Sequence, residues 1–397
     1  MNTGDRLSMN GFLLTLGLTF LLFVGTSYAV FAQGEKDPQM IQALIQRMQD
    51  QDKQRRLAAI KEVKQLGVAA KAAIPTLTSL LKEPDDEVRE SAVEAIGRMG
   101  AESRAAIPAL IEALKDRGAT VRSNAAFALG QIGSEARAAA PALGALLKDP
   151  SPWARGNAAY ALGRVGEAKP YLTALIGLLK DPQESVRRDA AGALGSIGLE
   201  AQAAVPALVE LLKDQSATVR RSAAEALGRI GPADNSAVPG LVESLRAPEF
   251  VVRTHAAYAL KQIGLEAQAA LQVWLALLKD PHEHLRSYAA DRLGELGTVA
   301  QAAMPALIEA LKDEDQFVRI SAAKALGKQG AVAETAVPTL IVLLKDKVAL
   351  VRATAADALG RIGTAAKAAL PLLTQLQQDQ APVVSYAATE AIKKINR

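Results

Sequence analysis

Residues 203–231 read AAVPALVELLKDQSATVRRSAAEALGRIG, and their apolar positions fall into two groups. In the first group Val205, Leu208, Leu211 and Leu212 recur at three- and four-residue spacing, which is one face of a helix. In the second, Val219, Ala223, Leu227 and Ile230 are spaced four, four and three, a second helical stripe. Beside that stripe Thr218, Ser222, Glu225 and Arg229 follow one another at i, i+4, i+7 and i+11, a polar helical face. Between the groups the short Lys213–Asp214 segment turns the chain. The pattern predicts two antiparallel helices that cannot hide their apolar sides alone.

The same sentence recurs along the chain, as in EVRESAVEAIGRMG (87–100), ATVRSNAAFALGQIG (119–133) and ALVRATAADALGRIG (349–363). A glycine closes each copy, at 67, 100, 133, 166, 198, 231, 264, 297, 330 and 363, a period of 33 with one step of 32. Asn396 stands in that place in the last copy, and asparagine is the other residue that enters left-handed backbone readily. About eleven units from residue 37 onward leave no room for another domain, and stacked helix pairs bury a continuous core. Proline at Pro75, Pro108, Pro141, Pro206, Pro239, Pro305, Pro338 and Pro371 suits a first helical turn, where its missing N–H had no partner. Gly130 and its counterparts at 97, 163, 195, 228, 294, 327 and 360 lie inside the second helix. A mid-helix glycine costs about 1 kcal/mol relative to alanine, so close approach of a neighbouring helix must offset it. The polar termini, MIQALIQRMQDQDKQRRL and ATEAIKKINR, suit units that lack an outer neighbour.

Composition narrows the picture. The 397 residues are half apolar but only 4% aromatic, which fits thin layers of Ala- and Leu-rich helices better than one large core. The absence of cysteine removes disulfides and thiolate metal sites. A formal charge of +4 is too small for a nucleic-acid surface. The first 32 residues differ: Arg6, the unbroken apolar run GFLLTLGLTFLLFV (11–24) and small residues up to Ala32 describe a secretory signal peptide cleaved after Ala32. An uncleaved membrane anchor over residues 11–32 is the alternative. The expected organisation is thus a leader, 1–32, and a helical array, 33–397, exported to the envelope, the periplasm or the exterior.

Tandem helix pairs carrying the D…VR..AA.ALG.IG…A..AVPAL..LLKD pattern resemble HEAT repeats, in particular the short subtype shared with phycobilin lyases. The resemblance covers about residues 37–397 and implies an all-α solenoid, a right-handed superhelix whose second helices line a concave surface. It also implies a structural ladder between the Arg after Val and the Asp of the turn: Asp181 with Arg187, Asp214 with Arg220, Asp313 with Arg319 and Asp346 with Arg352. Ala247 and Ser385 interrupt it. The lyase relationship gives the alternative function, an enzyme or enzyme subunit handling a bilin chromophore.

Chemistry is otherwise sparse. The histidines are His255, His282 and His284, and the run 282–284 falls in a turn between helices with no second cluster to complete a metal site. HEAT-repeat hydroxylases hold iron through paired His-Glu dipeptides on helices, whereas here His255 precedes Ala256. No phosphate-binding glycine loop or nucleophile elbow is present. No catalytic residue, metal or cofactor is expected.

A partner surface is the remaining candidate. The polar face of the second helix reads Asn124, Phe127 and Gln131 in the third unit and Trp153, Asn157, Tyr160 and Arg164 in the fourth. Units stack about 10 Å apart, so Phe127 and Tyr160 are expected as neighbours. Aromatic residues beside Asn and Arg are typical interface anchors. His255, Tyr258 and Tyr288 form a weaker second patch. The expected function is a non-catalytic exported scaffold that binds a protein or peptide there.

Overall fold

A computed structural model of the chain describes residues 38–231 and 235–397, so the leader expected over 1–32 lies outside the described residues. The molecule is an all-α array of helix pairs, and it falls into two compact units, one ending at Val165 and the other spanning Gly166–Arg397. The division lies where the 33-residue period loses one residue. In the first unit the helices are α1 (Pro38–Arg47), α2 (Lys53–Leu66), α3 (Ile74–Leu80), α4 (Asp86–Arg98), α5 (Ile107–Ala113), α6 (Ala119–Ile132), α7 (Ala140–Leu146) and α8 (Pro152–Val165). The second contains α9 (Leu172–Leu178), α10 (Glu184–Ile197), α11 (Val205–Leu211), α12 (Ala217–Ile230), α13 (Val238–Ser244), α14 (Phe250–Ile263) and α15 (Ala267–Leu277). It continues with α16 (Glu283–Leu293), α17 (Met304–Ala310), α18 (Gln316–Lys328), α19 (Val337–Leu343), α20 (Ala349–Ile362), α21 (Leu370–Leu376) and α22 (Pro382–Ile395).

Odd-numbered helices are the first of each pair, and most are only two turns long because proline truncates them. Pro206 sits at the start of α11, where it forbids a helical turn before it, and Gly198–Ala204 forms a 3-10 turn instead. In α15, Gln272 stands where eight other copies have proline, and the helix starts earlier and runs eleven residues unbroken. The closing glycines from Gly67 to Gly363 all have positive φ, between 53° and 79°, where a side chain is strained. Asn396 departs from the expectation: its φ is −87°, in the right-handed helical region, and its N–H closes α22 on the Ile392 carbonyl.

The even-numbered helices crowd together and carry the core stripe; Val219, Ala223, Leu227 and Ile230 are buried. A methyl group added at Gly195, Gly228 or Gly327 would stand 3.0 Å from the Cα of Ala226, Ala259 or Ala358 in the next helix. These glycines therefore serve backbone approach. Gly294 differs from its expected place inside a helix, since α16 ends at Leu293 and Gly294 caps it, although its added methyl would still meet Ala325 at 2.7 Å. Every pair of successive second helices in the second unit makes close backbone contact except α14 and α16, where Lys261 replaces the glycine.

The arginine ladder exists, and each expected pair meets through the aspartate main-chain carbonyl, while the carboxylates of Asp214, Asp313 and Asp346 serve another arginine. Arg187 Nε and Nη2 donate to the Asp214 carboxylate, 27 residues on, at 2.7 and 3.0 Å, while Nη1 donates to the Asp181 main-chain carbonyl at 2.7 Å. The same fork joins Arg286 to Asp313, Arg319 to Asp346 and Arg352 to Asp379. Within a repeat, Arg220, Arg319 and Arg352 thus hold the carbonyls of Asp214, Asp313 and Asp346, and the carboxylates serve the preceding arginine. Ala247 removes one carboxylate, and Arg220 turns to Glu249 instead, at 2.7 Å. Burial pushes the Asp214 carboxyl up, but the Arg187 fork and the Ser216 amide outweigh it and hold it below its ordinary value.

Candidate functional site

The second-helix face of the first unit brings Asn124, Phe127 and Gln131 on α6 beside Trp153, Asn157, Tyr160 and Arg164 on α8. The Phe127 and Tyr160 rings stack with centroids 5.8 Å apart and planes inclined by 21°. Tyr160 lies across the front of Gly130, where an added methyl would meet its Cε1 at 2.8 Å. Its hydroxyl accepts a hydrogen bond from Gln131 Nε2 at 3.1 Å. Gly130 is thus empty of side chain because a ring and the Ala161 backbone need the space.

Not every residue of this face is free for a partner. Tyr160 is half-buried, and Gln131 is engaged on it. Asn157 Nδ2 donates to the carbonyl and hydroxyl of Ser123, at 3.1 and 2.9 Å, which ties α8 to α6. Ser123, buried on α6, is a partner that sequence reading missed, because it lies one residue outside the face being compared. Trp153 and Phe127 remain presented to solvent, 69% and 40% exposed, and Arg164 is exposed as well. Ala154 beside Trp153 is buried, and the indole stands outside the packing.

The second patch divides in the same way. Tyr258 is exposed beside a groove of ≈ 430 Å³ lined by Glu225, Arg229, His255 and Gln262. His255 Nδ1 donates to the Val251 carbonyl at 2.8 Å. Tyr288 is half-buried instead, 5.1 Å from the Tyr258 ring and edge-on to the buried Trp274 at 5.8 Å. Burial pushes its phenol well above the ordinary value. Arg292 stands over the Tyr288 ring at 5.3 Å.

The remaining histidines have packing roles. His282 caps α16, its ring lies 3.6 Å from that of Phe250, and Glu283 and His284 belong to the first helical turn and not to a loop. Among the described residues no group of three or more His, Cys, Asp or Glu is arranged to hold a metal ion.

Known proteins place this architecture. A profile of HEAT repeats matches residues 41–129, 107–193, 172–261, 271–335 and 331–393, and it does not single out the phycobilin-lyase subtype. No curated protein matches the chain in sequence. Among solved structures, importin beta is similar with a TM-score of 0.58 at 18% identity, over 89% of this chain and 55% of that one. An engineered protein overlaps with a TM-score of 0.48 at 22% identity, over 90% of this chain and 99% of that one. A designed armadillo repeat protein in complex with a (KR)4 peptide overlaps with a TM-score of 0.43 at 24% identity, over 48% of this chain and 99% of that one. The importin beta likeness concerns the fold alone, and this chain spans about half of that protein's length. With tandem matches running from residue 41 to 393 and the helix-pair architecture beneath them, the chain belongs to the HEAT-repeat family.

Proposed function

We propose that the protein is a non-catalytic, exported scaffold that docks a protein or peptide segment on the second-helix face of α6 and α8. The observation that carries this reading is the pair Trp153 and Phe127. Both are large, solvent-facing and set on helices locked together by the Asn157–Ser123 and Gln131–Tyr160 hydrogen bonds. Rigid aromatic anchors lose little conformational entropy on binding, and a few of them carry most of an interface's energy. Asn124 and Arg164 supply polar contacts at the rim, while Tyr160, Asn157 and Gln131 hold the anchors in place. The leader over residues 1–32 carries the chain out of the cytoplasm.

The test uses the mature chain, whose first residue N-terminal sequencing identifies as Gln33 if the leader is removed after Ala32. Envelope proteins retained by the immobilised chain are identified, purified and titrated against wild type and the Phe127→Ala/Trp153→Ala double variant. A loss of affinity of at least tenfold with unchanged helicity and melting is expected. Equal affinity removes this face from the proposal. The phycobilin-lyase subtype would replace it if incubation with a bilin gave a stoichiometric, shifted chromophore band.

A further inference from the structure

Across α18, α20 and α22 the second-helix face combines two rows, whereas α12 has only the cation Arg229 and α14 only the exposed Val251 at these registers. Phe317, Leu350 and Val383, at one register of three successive repeats, are each 49% exposed. Eleven residues further along the same helices stand Lys328, Arg361 and Lys394, all exposed. In α10 and α12 the corresponding pairs are Ser185 with Ser196 and Thr218 with Arg229, so an apolar edge is missing there. The apolar row faces solvent, and Arg361 and Lys394 lay their stems over Gly327 and Gly360 while their charged ends stay exposed. The cations are also under-neutralised: Arg361 and Lys394 share the single carboxylate of Asp357, at 2.7 and 3.1 Å, and Lys328 reaches only Glu295, at 4.0 Å. Lys324 adds a further exposed cation between the rows.

We propose that α18, α20 and α22 form a docking trough for an amphipathic helix of a partner protein, with apolar residues on one edge and acidic residues on the other. Eleven residues along a helix separate the rows by about 16 Å, and a helix with its side chains is about 10–12 Å wide. Such a helix lies between the rows with its apolar edge on Phe317, Leu350 and Val383 and its carboxylates toward Lys328, Arg361 and Lys394. Three repeats at about 10 Å spacing present a trough about 20 Å long. That length matches about 14 helical residues, at about 1.5 Å each. The close packing of α18, α20 and α22, with methyl-free contacts at Gly327 and Gly360, draws this side of the stack together. A face drawn in this way suits a rod better than a flat bilayer.

The experiment uses the full mature chain and fluorescein-labelled, helix-stapled 15-residue peptides, read by anisotropy. One peptide has a Leu/Phe edge and a Glu edge, a second replaces Glu with Lys, and a third replaces the apolar edge with Ser. Saturable binding of the first alone is expected, weakening as salt rises. Phe317→Ser/Leu350→Ser should weaken it at least tenfold, as should Lys328→Glu/Lys394→Glu, with helicity and melting unchanged for both. Phe127→Ala/Trp153→Ala should leave it unaltered, which separates this trough from the face on α6 and α8. Absence of binding, equal binding of the Lys-edged peptide, or indifference to both trough variants overturns the proposal. So does cosedimentation with phosphatidylglycerol vesicles that the same variants abolish while the Glu-edged peptide fails to bind.

Discussion

Tyr160 on α8 and Tyr258 on α14 hold the same register, five residues after a ladder arginine, yet they meet different surroundings. Tyr160 leans back on the preceding repeat, where Gly130 gives its ring a seat and Gln131 takes its hydroxyl. Tyr258 leans forward to Tyr288, across a junction where Lys261 stands in the glycine position and α14 and α16 do not close on each other. There Trp274 and Tyr288 occupy the space, and the Tyr288 hydroxyl and Arg292 Nε are buried without a hydrogen-bond partner. Both tyrosines follow a glycine in the preceding repeat, Gly130 or Gly228, and the contrast lies at the next junction, where Lys261 replaces the glycine and aromatic rings fill the space.

The largest expected effect concerns the ion pair that bridges the looser junction. Arg253 and Asp280 are both buried and share two hydrogen bonds of 2.7 and 3.0 Å. Asp280→Ala leaves Arg253 buried without its carboxylate and should cost about 3–5 kcal/mol. The equivalent Asp346→Ala, at a junction also held by the Gly327–Ala358 approach, should cost less. Urea unfolding of the two variants checks the order; equal losses would mean that the glycine contact adds nothing to the junction.

Alanine placed in the same register of the two regions gives the second contrast. Gly130→Ala drives a methyl into Tyr160 and toward the Ala161 Cα at 3.1 Å, so it should destabilise by about 1–3 kcal/mol despite better helix propensity. Lys261→Ala meets no such neighbour and should stay within about 0.5 kcal/mol of wild type. Thermal melting compares them, and a neutral Gly130→Ala would show that the ring moves aside freely.

The smallest effect is acid sensitivity. Burial raises the Asp149, Asp214 and Asp313 carboxyls, but their arginine forks and the amides two residues on bring each below its ordinary value. A depressed carboxyl binds fewer protons folded than unfolded, so its stabilisation is complete above about pH 4 and declines as pH falls through the folded value. Denaturation midpoints measured from pH 6 to pH 2 should drop, and Asp214→Asn should flatten part of that slope. A slope unchanged in Asp214→Asn would place the acid sensitivity elsewhere.

Much of this was legible in the residues. The glycine period, the proline at the first turn and the two apolar stripes specified helix pairs, their number and their second-helix face, because those are local rules of backbone and periodicity. The stacking of Phe127 on Tyr160 followed from register and unit spacing. Other features depended on contacts between copies. The carboxylate of each ladder aspartate goes to the arginine 27 residues before it, a choice that requires two repeats at their actual distance. The pattern alone places Asn157 on the open polar face, whereas Ser123 of the neighbouring repeat takes up its amide. The row Phe317, Leu350, Val383 was present in the sequence but visible only by reading down one register across repeats.

By itself, then, the sequence determined the brick: two helices, a left-over polar face and a glycine with positive φ to start the next copy. Tertiary structure decided which side chains of that face remain available. Trp153 and Phe127 stay outside while Tyr160, Gln131 and Asn157 are taken up between helices. The physical reason is that periodicity fixes the direction of a side chain from its own helix, whereas burial depends on how near the next backbone can come. A single position, glycine at 130 and lysine at 261, controls that distance.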